Sequence, residues 1–153
     1  IASFVLLGDT ELTSKAGYYL SKEVDCDMIL TAEAKGIALA YEIAKNLGDK
    51  SFIVARKSEK SYMTKPISVG VNSITTRDSQ KLYLDFKDAE KIKGKKVALV
   101  DDVISTGESI NALEALVKKA GGEVVQKLAI LAEGDAADRK DIIYLEKIPI
   151  FHA

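Results

Sequence analysis

Two hydrophobic periodicities alternate along the 153-residue chain. Helical spacing of apolar residues predicts three helices, over residues 10–24, 37–47 and 109–120. Short apolar runs predict five buried strands, over residues 28–31, 51–55, 96–100, 124–132 and 142–145. Strands that alternate with helices predict an α/β fold with a central, mostly parallel sheet flanked by helices.

The pattern changes between Arg56 and Ile92. Apolar and polar residues alternate over 67–71 and again over 82–86, which predicts two half-exposed strands. We therefore predict a flexible antiparallel excursion over residues 58–83, because loops of that length are uncommon unless they are functional. Its first part contains three candidate contact residues: Ser61, Tyr62 and Lys65.

Composition narrows the possible functions. Apolar residues make up 47% of the chain, and the net charge of −1 gives no basic field that would attract nucleic acid. Cys26 and His152 are the only cysteine and histidine, so neither an internal disulfide nor a Cys/His zinc site can form. No apolar run is long enough to span a membrane, and no signal-peptide pattern occurs. We expect a single cytoplasmic domain over residues 1–153 that binds neither nucleic acid nor membrane.

The stretch Lys96–Ile110 contains the strongest candidate chemistry. Asp101 and Asp102 follow a buried apolar run, and a hydroxyl- and glycine-containing loop, Ser105–Ser109, precedes the next helix. Backbone N–H groups at a helix N-terminus suit a phosphate monoester, whereas paired carboxylates suit sugar hydroxyls or hydrated magnesium. A ribose carrying a 5-phosphate would use both features, the N–H groups for its phosphate and the carboxylates for its hydroxyls. In the simpler alternative, the acid caps the helix and the glycine makes the turn.

Two other loops follow predicted strands. Ala32–Gly36 contains a lysine and a glycine before a helix, and Arg56–Lys57 places two cations at a strand end. Because ligands bind at the carboxyl ends of parallel strands, these loops could converge with Asp101–Ser109 on one ligand. Taken alone, each has a simpler explanation: an ordinary strand-to-helix turn and a solvated basic pair.

The thirteen residues VALVDDVISTGES, 97–109, resemble the phosphoribosyl pyrophosphate (PRPP) motif of type I phosphoribosyltransferases. Glu108 departs from the motif, where glycine is more usual. EAKGI and VARK are similar to the adenine, xanthine and purine-regulator branch, and the resemblance covers roughly residues 28–131. It implies the type I phosphoribosyltransferase fold, with the excursion closing over the active site.

The resemblance also implies roles for single residues. Asp101 and Asp102 would be catalytic, holding the ribose hydroxyls. The PRPP-binding set would be Asp101, Asp102, Val103, Ser105, Thr106, Gly107, Glu108 and Ser109. The pyrophosphate-binding set would be Glu33, Ala34, Lys35, Gly36, Arg56 and Lys57, with a non-proline cis peptide bond expected at Ala34–Lys35. Magnesium would arrive on the oxygens of PRPP, with no direct protein ligand.

The implied reaction is transfer of ribose 5-phosphate from PRPP to a purine base, yielding a nucleoside monophosphate and pyrophosphate in nucleotide salvage, by a homodimer. Ser105 stands where hypoxanthine-guanine enzymes have an aspartate, which disfavours that subgroup. Adenine enzymes have a glutamate in the excursion, where this chain has Thr75 or Thr76, with Asp78 nearby. The acceptor, adenine or xanthine/guanine, therefore stays open.

A second class of function also fits the sequence. TAEAKGIALAY and the segment 133–139 are similar to a purine-repressor protein, which implies a regulator that senses PRPP without catalysis. That regulator binds DNA, and nucleic-acid binding needs a localised cationic surface. Because this sequence has no basic patch, and because the STGES loop is intact, we favour the enzyme.

Overall fold

The computed structural model describes residues 6–71 and 80–149. Its strands are β1 (Met28–Ala32), β2 (Ser51–Ala55), β3 (Ile67–Val71), β4 (Gln80–Leu84), β5 (Lys96–Ile104), β6 (Glu123–Glu133) and β7 (Ile143–Ile148). Its helices are α1 (Thr10–Ser21), α2 (Ile37–Asn46), α3 (Phe86–Ile92) and α4 (Glu108–Ala120), with a 3₁₀ segment at Gly134–Asp138. Five parallel strands form the central sheet in the order β2-β1-β5-β6-β7, which confirms the predicted α/β fold.

The sheet separates two apolar cores. Along β5, Val97 and Leu99 face one core, and Ala98 and Val100 face the other, as the side-chain alternation of a strand requires. Helices α3 and α4 and the β3–β4 hairpin cover the first face, and α1 and α2 cover the second. Burial on both faces explains why β5 is an unbroken apolar run in the sequence.

The order of the strands reverses between β1 and β5. From β1 the chain moves outward to β2, and it later returns to the other side of β1 as β5. A crevice forms at such a reversal, outside the carboxyl ends of the two strands. The buried Thr31 hydroxyl links these ends by donating a hydrogen bond of 2.8 Å to the carbonyl of Val100.

Helix boundaries follow local signals. The Asp9 side chain accepts a hydrogen bond from the Leu12 N–H and caps α1. Gly121, with a φ of 88°, ends α4 in the left-handed conformation that glycine favours. Among the described residues, no helix has the length and apolar character needed to cross a membrane.

Several predicted boundaries were wrong. Helix α1 ends at Ser21 rather than at residue 24, and β5 continues past both aspartates to Ile104. The sequence pattern also missed α3, because the alternation of apolar residues runs on into Phe86. The structure ends the strand at Leu84, and the Asp85 side chain accepts the Phe86 N–H as the cap of this seven-residue helix.

The excursion contains the predicted antiparallel pair, β3 and β4. Tyr83 and Arg56 exchange two backbone hydrogen bonds of 2.8 and 3.0 Å, which join β4 to the end of β2. On the other side, Lys119 of α4 donates to the Ser68 carbonyl at 2.9 Å. Residues 72–79, with Thr75, Thr76 and Asp78, lie outside the described residues, so the mobility of the tip stays a prediction.

Candidate active site between β1 and β5

A polar cavity of about 300 Å³ opens at the reversal of the sheet. The loop after β1, Lys57 after β2 and the last part of β5 line it, together with Ser109 of α4 and part of the β3–β4 hairpin. The lining residues predicted from sequence are Glu33, Ala34, Lys35, Lys57, Asp101, Asp102, Val103 and Ser109. The predicted convergence of distant loops on one cleft is therefore what the structure shows.

A smaller cavity of about 100 Å³ lies under the loop that precedes α4. Its walls are Asp101 and residues 103–110, and it shares Asp101, Val103 and Ser109 with the larger cavity. Gly107 caps α4 in the left-handed region, at a φ of 85°. The first N–H groups of a helix have no partner within the helix, so this cavity combines N–H donors with the positive end of α4.

The two aspartates are held by the backbone. Asp101 accepts the Asp102 N–H, and Asp102 accepts the Val103 N–H, each at 2.8 Å. Partial burial raises the pKa of Asp101 well above its ordinary value, and the neighbouring Asp102 carboxylate raises this pKa further. The site thus places two carboxylates side by side on the larger cavity, with Asp101 also lining the smaller one, where hydroxyl donors or a cation would stabilise them.

The 32–36 loop packs directly on the end of β5. A Cβ on Gly36 would lie 2.5 Å from the Thr31 hydroxyl oxygen and 3.5 Å from the Asp101 Cα, so only glycine fits without displacing an atom. The loop contains a non-proline cis peptide bond between Glu33 and Ala34. The bond predicted at Ala34–Lys35 was therefore placed one residue too far along the chain.

Comparisons with known proteins decide the family. The sequence profile of the phosphoribosyl transferase domain matches residues 12–151. The chain belongs to the phosphoribosyltransferase family. A solved structure of adenine phosphoribosyltransferase from Thermoanaerobacter pseudethanolicus superposes with a TM-score of 0.78 at 27% identity, covering 93% of this chain and 84% of that one.

Curated relatives of this phosphoribosyltransferase act on purines by name. Adenine phosphoribosyltransferase of Pseudothermotoga lettingae is 39% identical over 103 residues, 67% of this chain and 56% of that protein. Hypoxanthine/guanine phosphoribosyltransferase of Methanococcus voltae is 33% identical over 117 residues, 76% of this chain and 58% of that protein. The chain falls in the purine branch, and it spans little more than half the length of these two relatives.

The two basic residues after β2, Arg56 and Lys57, line different cavities of this phosphoribosyltransferase. The Glu33 carboxylate accepts the Lys57 N–H at 2.6 Å and lies 3.3 Å from Arg56 Nε. These two contacts, the Lys57 bond first, lower the pKa of Glu33. Arg56 also donates to the Tyr62 hydroxyl at 3.3 Å, and both residues line a separate cavity beside β2. Lys57 therefore lies on the cleft and Arg56 beside it.

Other predicted site residues lie away from the cleft lining. Ser61, Tyr62 and Lys65 are not among the described residues that line the cleft, so their contact with a ligand stays a prediction. The sequence interpretation missed four lining residues, all of the β3–β4 hairpin: Val71, Gln80, Lys81 and Leu82. The alternation that places Leu82 and Leu84 in the core could have identified Lys81 as a residue of the opposite face.

We expect Gly36→Ala to lower both stability and PRPP affinity. The new Cβ would overlap the Thr31 hydroxyl, which cannot turn away without losing its hydrogen bond to the Val100 carbonyl. Overpacking of this kind costs roughly 1–3 kcal/mol of folding free energy. Thermal unfolding and a PRPP titration measure the two effects. Gly70→Ala, whose Cβ would meet no atom within 4 Å, is the control.

A second substitution tests whether the overlap with the Thr31 hydroxyl causes the loss of affinity in Gly36→Ala. Thr31→Ala added to Gly36→Ala removes the oxygen that the new methyl group would meet, so the double variant should recover part of the lost affinity. An unchanged affinity in Gly36→Ala itself would show that the contact between this loop and β5 does not shape the cleft.

Proposed function

We propose that this protein is a purine phosphoribosyltransferase, an enzyme that transfers ribose 5-phosphate from PRPP to a purine base. The products are a nucleoside monophosphate and pyrophosphate, as in nucleotide salvage. One observation supports the proposal above the others: a single cleft joins a helix N-terminus, a carboxylate pair and the 32–36 loop of the neighbouring strand. PRPP has a matching group for each of them.

Each part of the cleft has a task in the proposed reaction. The 105–109 loop and the first turn of α4 bind the 5-phosphate through backbone N–H groups. Asp101 and Asp102 accept hydrogen bonds from the ribose hydroxyls. The bond from the anomeric carbon to pyrophosphate breaks, the bond to a purine nitrogen forms, and that nitrogen loses its proton. Because a cation-like sugar develops, positioning and charge stabilisation supply the catalysis.

The departing pyrophosphate belongs at the 32–36 loop. Lys35 and Lys57 line the cleft on that side and offer positive charge to its oxygens. Arg56 would join them only after leaving Glu33 and Tyr62. The β3–β4 hairpin, with Lys81 on the cleft, would cover the sugar and keep water from it.

Magnesium fits this site as a companion of the ligand. No group of three or more His, Cys, Asp or Glu side chains suited to a metal ion occurs in the described parts of the chain. Asp101 and Asp102 offer carboxylate oxygens, which magnesium prefers, but too few for a protein cage. We therefore propose that Mg²⁺ enters on the oxygens of PRPP, where it neutralises charge on the leaving group.

Three finer points belong to the proposal. Relatives named for adenine and for hypoxanthine/guanine leave the acceptor base open. A homodimer and a cytoplasmic location remain predictions from sequence, which sedimentation and cell fractionation would measure. The regulator alternative gains no support from the comparisons, because the relatives are enzymes by name.

Pyrophosphate release tests the proposal directly. The protein is incubated with PRPP, Mg²⁺ and, in turn, adenine, hypoxanthine, guanine and xanthine. We expect turnover with at least one base and none without a base. Tight PRPP binding without turnover on any base would overturn the enzyme and favour the sensor, whereas no PRPP binding would overturn both.

A further inference from the structure

Arg139 lies against the loop that precedes α4, although it is 30 residues away in sequence. It follows the 3₁₀ segment Gly134–Asp138 between β6 and β7. Two of its nitrogens donate to the Asp141 carboxylate, Nε to Oδ1 at 2.8 Å and Nη2 to Oδ2 at 2.6 Å. The third, Nη1, lies 2.5 Å from the position that a Cβ on Gly107 would take.

The Asp141 carboxylate that binds the Arg139 guanidinium is itself held by Lys127. Lys127, whose side chain is only 10% exposed, donates to Asp141 at 3.0 Å and to Glu114 of α4 at 3.3 Å. This chain of contacts joins α4, β6 and the segment before β7. A doubly bonded Arg–carboxylate pair has a fixed geometry, so Arg139 is oriented more firmly than an ordinary surface arginine.

Arg139 brings a cation to the N-terminus of α4, and its two bonds to Asp141 stabilise that charge. Gly107 is the N-cap of α4, and the positive end of a helix repels a cation. The two carboxylates in the cluster, Asp141 and Glu114, already contact cations. An anion held between the helix terminus and the guanidinium would be attracted by both.

We propose that Arg139 is a side-chain ligand of the 5-phosphate, and that Asp141 and Lys127 are its positioning residues. Backbone N–H groups of the 105–109 loop and Nη1 of Arg139 together bind a sugar phosphate monoester. The inference rests on the proposed function, because it assigns a residue to the 5-phosphate half of the same cleft. Arg139 would give the loop a full positive charge that the loop's own sequence, STGES, lacks.

The test compares ligands that have and lack the 5-phosphate. Calorimetric titrations measure the affinity of Arg139→Gln for ribose 5-phosphate and for inorganic pyrophosphate. We expect the affinity for ribose 5-phosphate to fall about 10- to 100-fold, the range for losing a charged hydrogen bond, while pyrophosphate affinity is unchanged. Arg139→Lys, which keeps the charge without the fork, should recover part of the loss.

The control is Lys140→Gln, which removes the same charge from the exposed neighbouring residue. Equal affinities in this variant and in Arg139→Gln would overturn the inference, as would a parallel loss for both ligands in Arg139→Gln. If Arg139→Gln does not fold, the inference is tested with Arg139→Lys instead. An affinity of Arg139→Lys for ribose 5-phosphate equal to that of wild type would contradict the inference. Wild-type protein that binds neither ligand would instead overturn the proposed function.

Discussion

Gly107→Ala should weaken PRPP binding about 10- to 100-fold, because strain of roughly 1–3 kcal/mol would fall on the loop that we propose binds the 5-phosphate. At a φ of 85° an alanine is strained, and its Cβ would lie 2.5 Å from Arg139 Nη1. Asp141 holds that guanidinium by two bonds, so it cannot move aside freely. Titration with PRPP and thermal unfolding measure affinity and stability.

Gly94→Ala is the matched control for this experiment. Gly94 also has a positive φ, 73°, but a Cβ there would meet no atom within 4 Å. It precedes β5 at the opposite end of the strand, so its variant should lose stability and keep PRPP affinity. Equal affinity losses in both variants would show that general destabilisation, and not the shape of the 105–109 loop, controls binding.

Asp101→Asn should produce a protein that is more stable at neutral pH and poorer at binding PRPP. Partial burial and the Asp102 charge raise the pKa of Asp101, so the folded protein favours the neutral acid more than the unfolded chain does. An amide of the same shape removes the charge and can still accept the Asp102 N–H. Losing a charged hydrogen bond to ribose should cost about 10- to 100-fold in affinity.

The stability difference between Asp101→Asn and wild type should depend on pH. Above the raised pKa, the ionised Asp101 destabilises the folded state; as pH falls through that pKa, the folded state binds a proton and gains stability relative to the variant. The gain is complete below the unfolded pKa of about 4. Denaturant titrations from pH 4 to 8 should show the advantage of Asp101→Asn shrinking towards acid. A variant less stable than wild type at pH 7.5 would contradict this.

Much of the fold is predictable from sequence because two-sided burial leaves a clear pattern. The apolar runs at 97–100 and 28–31 predicted two buried strands of a parallel sheet, and the structure pairs them as neighbours. The loop at 105–109 was predictable for a different reason: hydroxyls and a glycine before an amphipathic run indicate a helix start. Convergence of the loops followed from the rule that ligands bind at the carboxyl edge of a parallel sheet.

The missed features depend on contacts between residues distant in sequence. Nothing local indicates that Arg56 turns towards Glu33 and Tyr62, or that Arg139 reaches Gly107. Helix α3 was missed because its cap, Asp85, interrupts an alternation that continues into the helix. Local periodicity reports burial, whereas the direction of a long charged side chain is fixed by partners from other elements.

The hydrogen bond between Thr31 and the Val100 carbonyl has a consequence for ligand selection. It fastens the ends of two adjacent strands, and adjacent strands lie about 4.8 Å apart. The 32–36 loop begins at the end of β1, one residue after Thr31, whereas β5 continues from Val100 to Ile104 before the 105–109 loop. Both loops are thus attached to paired strands, so the sheet and not the β3–β4 hairpin sets their separation. In the proposed reaction the sheet would therefore set the distance between the sites for the 5-phosphate and for the pyrophosphate, which a single pentose separates in PRPP.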